Sequence, residues 1–146
     1  MKLLFNPIDS RAVERAISAA ELLTSGDIRV VVYPGEVRNP IETARFEFGR
    51  LGMHRTRHRN AVLLLVAPDS RAYAIFGDKA IHERCGETFW SETGDVMARY
   101  FRAGAFTEGL VHGIREAGRI LAKHFPANPN ERHSFPDTMV ERGIVI

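Results

Sequence analysis

The sequence predicts an α/β fold, a three-layer α/β/α sandwich around a small mixed sheet, Rossmann-like in outline. Three observations predict it. Two short runs lack polar–apolar alternation, as strands covered on both faces do: residues 28–33 (IRVVVY), β-branched and interrupted only by Arg29, and residues 61–67 (AVLLLVA), wholly apolar. A helix-periodic segment lies between them, the order of a parallel crossover unit, expected to be right-handed. A third run, residues 71–76 (RAYAIF), follows across the turn residues Pro68, Asp69 and Ser70. It therefore pairs back on the second run as an antiparallel hairpin, which makes the sheet mixed.

Asp9 or Ser10 can cap a first helix in which Val13, Ala16, Ile17, Ala20 and Leu23 recur at three- and four-residue steps on one face. Thr24, Ser25 and Gly26 stop it, and the run at 28–33 is expected as a central strand. Asn39-Pro40 opens the second helix: Asn caps, Pro has a pre-set helical φ, and Glu42 faces free backbone amides. Ile41, Ala44, Phe48 and Leu51 form its apolar face, and a polar loop covers residues 53–60. After the hairpin, Gly77-Asp78 leads into a short helix at 79–85. Trp90, Thr93, Met97 and Tyr100 or Phe101 are spaced as one face of another helix, although Gly94 weakens its propensity. The last long helix spans 107–124, with Leu110, Ile114, Ala117 and Leu121 inward. Gly109, Gly113 and Gly118 allow it to approach the sheet closely.

Beyond Phe125-Pro126 the composition turns to Pro, Asn, His and charge. Residues 1–126 are read as one domain and 127–146 as an extended tail. The tail's end, Gly143 to Ile146, is apolar enough to add a strand to this sheet or to that of a second copy, giving a homodimer.

A domain near 146 residues buries about 70% of the surface its unfolded chain exposes, so a real core forms without staples. The net charge of +2 is too small to argue for nucleic acid, although arginine (17) far outnumbers lysine (3). Cys85 is the single cysteine, so no intrachain disulfide forms and a reducing compartment fits. The N-terminal MKLLFNPIDS lacks the long apolar stretch of a signal peptide. The longest wholly apolar run has seven residues (61–67), whereas a bilayer takes about 20, so no transmembrane segment and a cytoplasmic location are expected.

Few residues offer chemistry. Asp78 sits where a strand hands over to a helix, a place where open α/β sheets bind ligands, and its carboxylate suits a hard cation; it equally suits an N-cap. The loop at 53–60 gathers His54, Arg55, Arg57, His58 and Arg59, an anion site if they converge and a solvated run if they do not. His82-Glu83 begins like a zinc helix motif, but Gly86 stands where the second histidine belongs. Cys85 lacks the arginine six residues on that a phosphatase loop needs, because Ser91 is there. DxD, RHG, GxSxG, GxGxxG and a glycine-rich phosphate loop are all missing, so no nucleotide cofactor is expected.

Three stretches in order, Arg59 to Asp69, Ala74 to His82 and Phe101 to Leu110, resemble the TPM-domain family, supported by TSGDIRVVV at 24–32, LGMHRT at 51–56 and HFP at 124–126. The resemblance implies an α/β/α sandwich without dinucleotide binding. It also implies calcium or magnesium as the cation. Some members of the family are membrane-tethered, and a chloroplast lumenal member associated with photosystem II repair is assigned acid phosphatase activity. Asp78 matches the family's Gly-Asp motif, Asn60 the asparagine before the second strand, and Arg102 with Gly104 the FRxG motif. Ala61 and Ala80 replace common glycines, and the tail from Asn130 matches only loosely.

Three readings follow. The first is a noncatalytic TPM-like domain that binds a divalent cation weakly and has a protein partner, soluble or membrane-bound. The second is a metal-assisted phosphomonoesterase with Asp78, Asp69 and Asn60 at the metal and the 54–59 loop on phosphate. The third is a self-associating module that uses the C-terminal strand.

Overall fold

A computed structural model describes residues 8–86 and 88–141. Helix α1 (Ser10–Glu21) is capped by Asp9, whose Oδ1 accepts the N–H groups of Arg11 and Ala12 at 3.1 Å. Val13 and Ile17 face the core. The helix ends at Glu21, so Leu23 stands in the turn beyond it and is exposed, not inward as its spacing suggested. Strand β1 (Ile28–Val32) follows, then α2 (Pro40–Arg50), whose Asn39 cap accepts the Glu42 N–H. Ala44, Phe48 and the unexpected Glu47 are buried on α2, whereas Ile41 is exposed. One turn of 3-10 helix (Met53–Arg55) leads toward β2 (Val62–Ala67), β3 (Ala72–Gly77) and α3 (Lys79–Cys85). Helices α4 (Thr88–Arg102) and α5 (Phe106–His124) and the short strand β4 (Val140–Glu141) complete the order.

The sheet order is β3-β2-β1-β4, with β1 parallel to both β2 and β4 and β3 antiparallel to β2. Every residue of β1 and β2 is buried, because helices cover both faces. Ile28, Val30, Val32, Val62, Leu64 and Val66 point to the layer holding α1, α3, α4 and α5. Val31, Leu63 and Leu65 alternate to the other side and pack on Ala44 and Phe48 of α2. The two cores meet back to back across one sheet, the arrangement that strands without polar–apolar alternation require.

The glycines of the last helix serve its helical neighbours and not the sheet. A Cβ on Gly109 would lie 2.5 Å from Cε1 of Phe101, one on Gly113 2.6 Å from Sδ of Met97, and one on Gly118 2.7 Å from Cβ of Ala20. Gly94, which weakens the propensity of α4, admits the Tyr73 ring, since its Cβ would meet Oη at 2.8 Å. Tight helix packing has been chosen over helix propensity, which costs about 1 kcal/mol per glycine.

The tail does not hang free of the body. From Glu131 to Met139 its odd-numbered residues are partly buried and its even ones exposed, the alternation of an extended chain lying on a surface. Ser18 Oγ donates to Asp137 Oδ2 at 2.6 Å, Met139 N–H donates to Glu14 at 3.0 Å, and Val140–Glu141 pairs with β1. The apolar end expected to pair, residues 143–146, lies outside the described residues. No described helix is long and apolar enough to cross a membrane.

Candidate functional site

Two chain reversals build a cleft at the amino-terminal edge of β1 and β2. Before β1, Thr24 Oγ1 donates to the Phe125 carbonyl at 2.5 Å and accepts the Gly26 N–H at 3.0 Å. Gly26 backs onto the other reversal: a Cβ there would stand 3.0 Å from the Asn60 carbonyl oxygen. Before β2, Arg59 takes a left-handed conformation (φ 53°), uncommon for a residue with a side chain. Its guanidinium holds that turn by gripping Asp78, with Nε to Oδ2 at 2.7 Å and Nη2 to Oδ1 at 2.8 Å. Asn60 is thereby delivered to the cleft fully buried, with Nδ2 donating to Ser25 Oγ at 3.3 Å.

The cleft, of about 270 Å³, is lined by Ser25, Asp27, Thr56, Arg57, His58 and Asn60 from these reversals and by Asn130, Glu131, Arg132 and Ser134 from the tail. Asp27 is only 2% exposed, and its Oδ1 accepts the Ser134 N–H at 3.0 Å. Burial raises its affinity for a proton, while the Ser134 donor works against that. Thr56 is buried, and its Oγ1 has no hydrogen-bond partner among the described residues. Next to this cleft, Glu21 donates no charge cheaply: burial first, then a hydrogen bond with Asp137, pushes its carboxyl up to about 9. Its Oε2 accepts the Ile28 N–H at 2.7 Å.

The predicted site residues are partly brought together. Asp78 does stand at the carboxyl end of β3. Because β3 runs antiparallel, however, that is the amino edge of β1 and β2, opposite the strand ends where α/β sheets bind ligands. Its carboxylate caps α3, accepting the Lys79 N–H at 2.7 Å, and is otherwise taken by Arg59. Asp69 lies past the other end of the hairpin, where its Oδ2 accepts the Gly35 N–H at 2.7 Å. The six residues of β3 separate the two aspartates by roughly 20 Å. A single metal shared by Asp69 and Asp78 is therefore corrected by the topology. Asn60 alone of that set reaches the cleft.

The basic loop is divided as well. His54 and Arg55 are exposed on the 3-10 turn. Arg57 Nη1 and His58 Nε2 grip the two oxygens of Glu131 at 3.0 and 2.9 Å, which holds Glu131 below its ordinary range, His58 being the main cause. With Arg59 on Asp78, three of the five expected anion ligands already face carboxylates, and the five do not converge. Cys85 is partly buried and its thiol is pushed up by burial, so it is poorly suited to act as a thiolate. Among the described residues, no three His, Cys, Asp or Glu side chains gather as a metal-binding group.

Ser25, Asp27 and Thr56 lie in stretches that carry the family resemblance, and Glu131 and Ser134 in the loosely matching tail, but sequence reasoning assigns none of them to a site. Asp27 left one trace: an acid in a tight turn directly before a strand buried along its whole length must find buried partners.

The family model described as "TPM domain" matches residues 2–120. The NMR structure of the BA42 protein from the psychrophilic bacterium Bizionia argentinensis is similar, with a TM-score of 0.86 and 32% identity over 95% of this chain and 98% of that one. No curated protein matches the sequence.

Proposed function

The chain belongs to the TPM-domain family, and on that premise we propose that it is a noncatalytic binding domain that takes calcium or magnesium weakly in the cleft at the amino edge of the sheet. The observation that carries the reading is the buried polar group there: Asp27, Asn60 and Thr56 are each more than nine-tenths buried and line one cleft, with Thr56 Oγ1 unpartnered. Leaving such an oxygen without a partner costs about 1–3 kcal/mol, so its presence favours a ligand. The donors suit a hard cation. Carboxylates, a side-chain carbonyl and hydroxyls are the oxygen set calcium and magnesium accept, with waters completing the shell.

Asp27, Asn60 and Thr56 would hold the ion, and Glu131 would face it from the tail. The cation would supply a fixed positive charge between the strand edge and the tail. Affinity is weak in this reading because the two carboxylates share the cleft wall with Arg57, His58 and Arg132, and Glu131 is already held by Arg57 and His58.

Calcium or magnesium titration followed by amide NMR tests the reading. Localised shifts are expected at residues 25–27, 56–60 and 130–134, lost in Asp27→Asn and retained in Asp78→Asn. Shifts absent from those segments, or unchanged by Asp27→Asn, would overturn it.

A further inference from the structure

We propose that the groove between α1 and α5 docks an acidic amphipathic helix of a protein partner. The groove encloses about 580 Å³, and its walls include Ala16, Ala19, Val111 and Ala122. Leu23 lines it and is 66% exposed, among the most exposed large apolar side chains described. A bare leucine in an apolar groove is a cost in a lone domain, and contiguous exposed patches of this kind mark interaction surfaces. The face is distinct from the cation cleft, which lies under the tail at the sheet edge.

Charge names the occupant. Arg15, Arg115 and Arg119 flank the groove, and of these only Arg119 forms an ion pair among the described residues, with Glu116 of its own helix. A second copy docked on this face would set these arginines against one another, a like-charge juxtaposition that disfavours it. A helix with a small apolar face flanked by Asp or Glu answers both features, as helix-in-groove recognition does elsewhere. From Ala12 to Leu23 the groove runs roughly 16 Å at helical rise, room for about three turns.

Two synthetic helical peptides with the same Ala/Leu face, one flanked by Glu and one by Lys, test this against the full chain by amide NMR and fluorescence anisotropy. The Glu peptide is expected to bind at least tenfold more tightly and to shift Ala16, Ala19, Val111 and Ala122. The double variant Arg15→Glu, Arg115→Glu is expected to reverse that preference; both arginines are exposed, and an otherwise unchanged amide spectrum verifies the fold. Equal affinities, no binding, shifts elsewhere or no reversal would overturn the proposal. So would a dimer of the chain alone that Ala19→Arg dissociates, since that assigns the groove to a second copy.

Discussion

Glu21→Gln isolates the buried carboxyl from the rest of the protein. Glu21 titrates at about 9 in the fold against an ordinary 4.5, because burial and Asp137 favour the neutral acid. Below pH 4.5 the group is protonated in folded and unfolded chains alike, and its full contribution to stability is present. As pH rises from there the unfolded chain releases the proton while the folded one keeps it. Stability is therefore lost progressively and levels off only above about 9. Each unit inside that window costs up to about 1.4 kcal/mol, so going from pH 6 to 8 removes at most ~2.7 kcal/mol. Glutamine mimics the protonated acid: its oxygen accepts the Ile28 N–H and its amide donates toward Asp137.

Urea unfolding of both proteins at pH 6 and 8 reads the difference. The wild-type midpoint is expected to fall by roughly 1–2 M relative to Glu21→Gln, taking the ordinary urea dependence of a small domain. Asp27, also raised by burial, pulls the same way in both proteins and cancels in the comparison. Equal midpoint shifts in the two proteins would refute the claim that Glu21 holds the proton. Loss of more than ~1 kcal/mol in Glu21→Gln at pH 6 would refute the hydrogen-bond assignment.

Asp78→Ala removes the α3 cap and the Arg59 clamp but leaves an arginine that water can reach, so a loss of about 1–2 kcal/mol is expected in thermal unfolding; an unchanged midpoint would show that the cap is idle. Two glycines on helices have opposite expectations. Gly109→Ala drives a methyl into the buried Phe101 ring and should cost ~1–3 kcal/mol by chemical denaturation. Gly49→Ala meets nothing within 4 Å and should gain about 0.5–1 kcal/mol. Equal effects would contradict the packing account. Glu131→Gln weakens the grip of Arg57 and His58, so amide exchange at residues 128–134 should quicken while the sheet amides keep their protection.

The elements were legible because their signals are local. Asp9 and Asn39 next to their helices, the β-branched run of β1, the unbroken apolar run of β2, and turn residues at 68–70 each act within a few positions. The errors fall where a neighbour distant in sequence decides. Leu23 fits the helical spacing, but the chain leaves α1 two residues earlier, and Glu21 turns inward to serve the Ile28 N–H. Gly94 reads as a weakness until Tyr73 is seen against it.

The site was less legible, for an electrostatic reason. A loop of five bases looks like an anion trap only while its counter-charges are out of view. Glu131, 73 residues from His58, and Asp78, 19 residues from Arg59, supply them. Asp69 and Asp78 read as partners because they are near in sequence, yet a strand between two turns holds its ends as far apart as its length allows.

From sequence alone came the two-sided strands, the helices that cover them, the mixed sheet and the family. Backbone propensity and hydrophobic period are written in adjacent residues. The tertiary structure decided which carboxylate meets which base, which edge of the sheet carries the buried polar cleft, and which helix face is left bare. Those outcomes depend on where distant segments converge, and side-chain charges are paired by proximity in space.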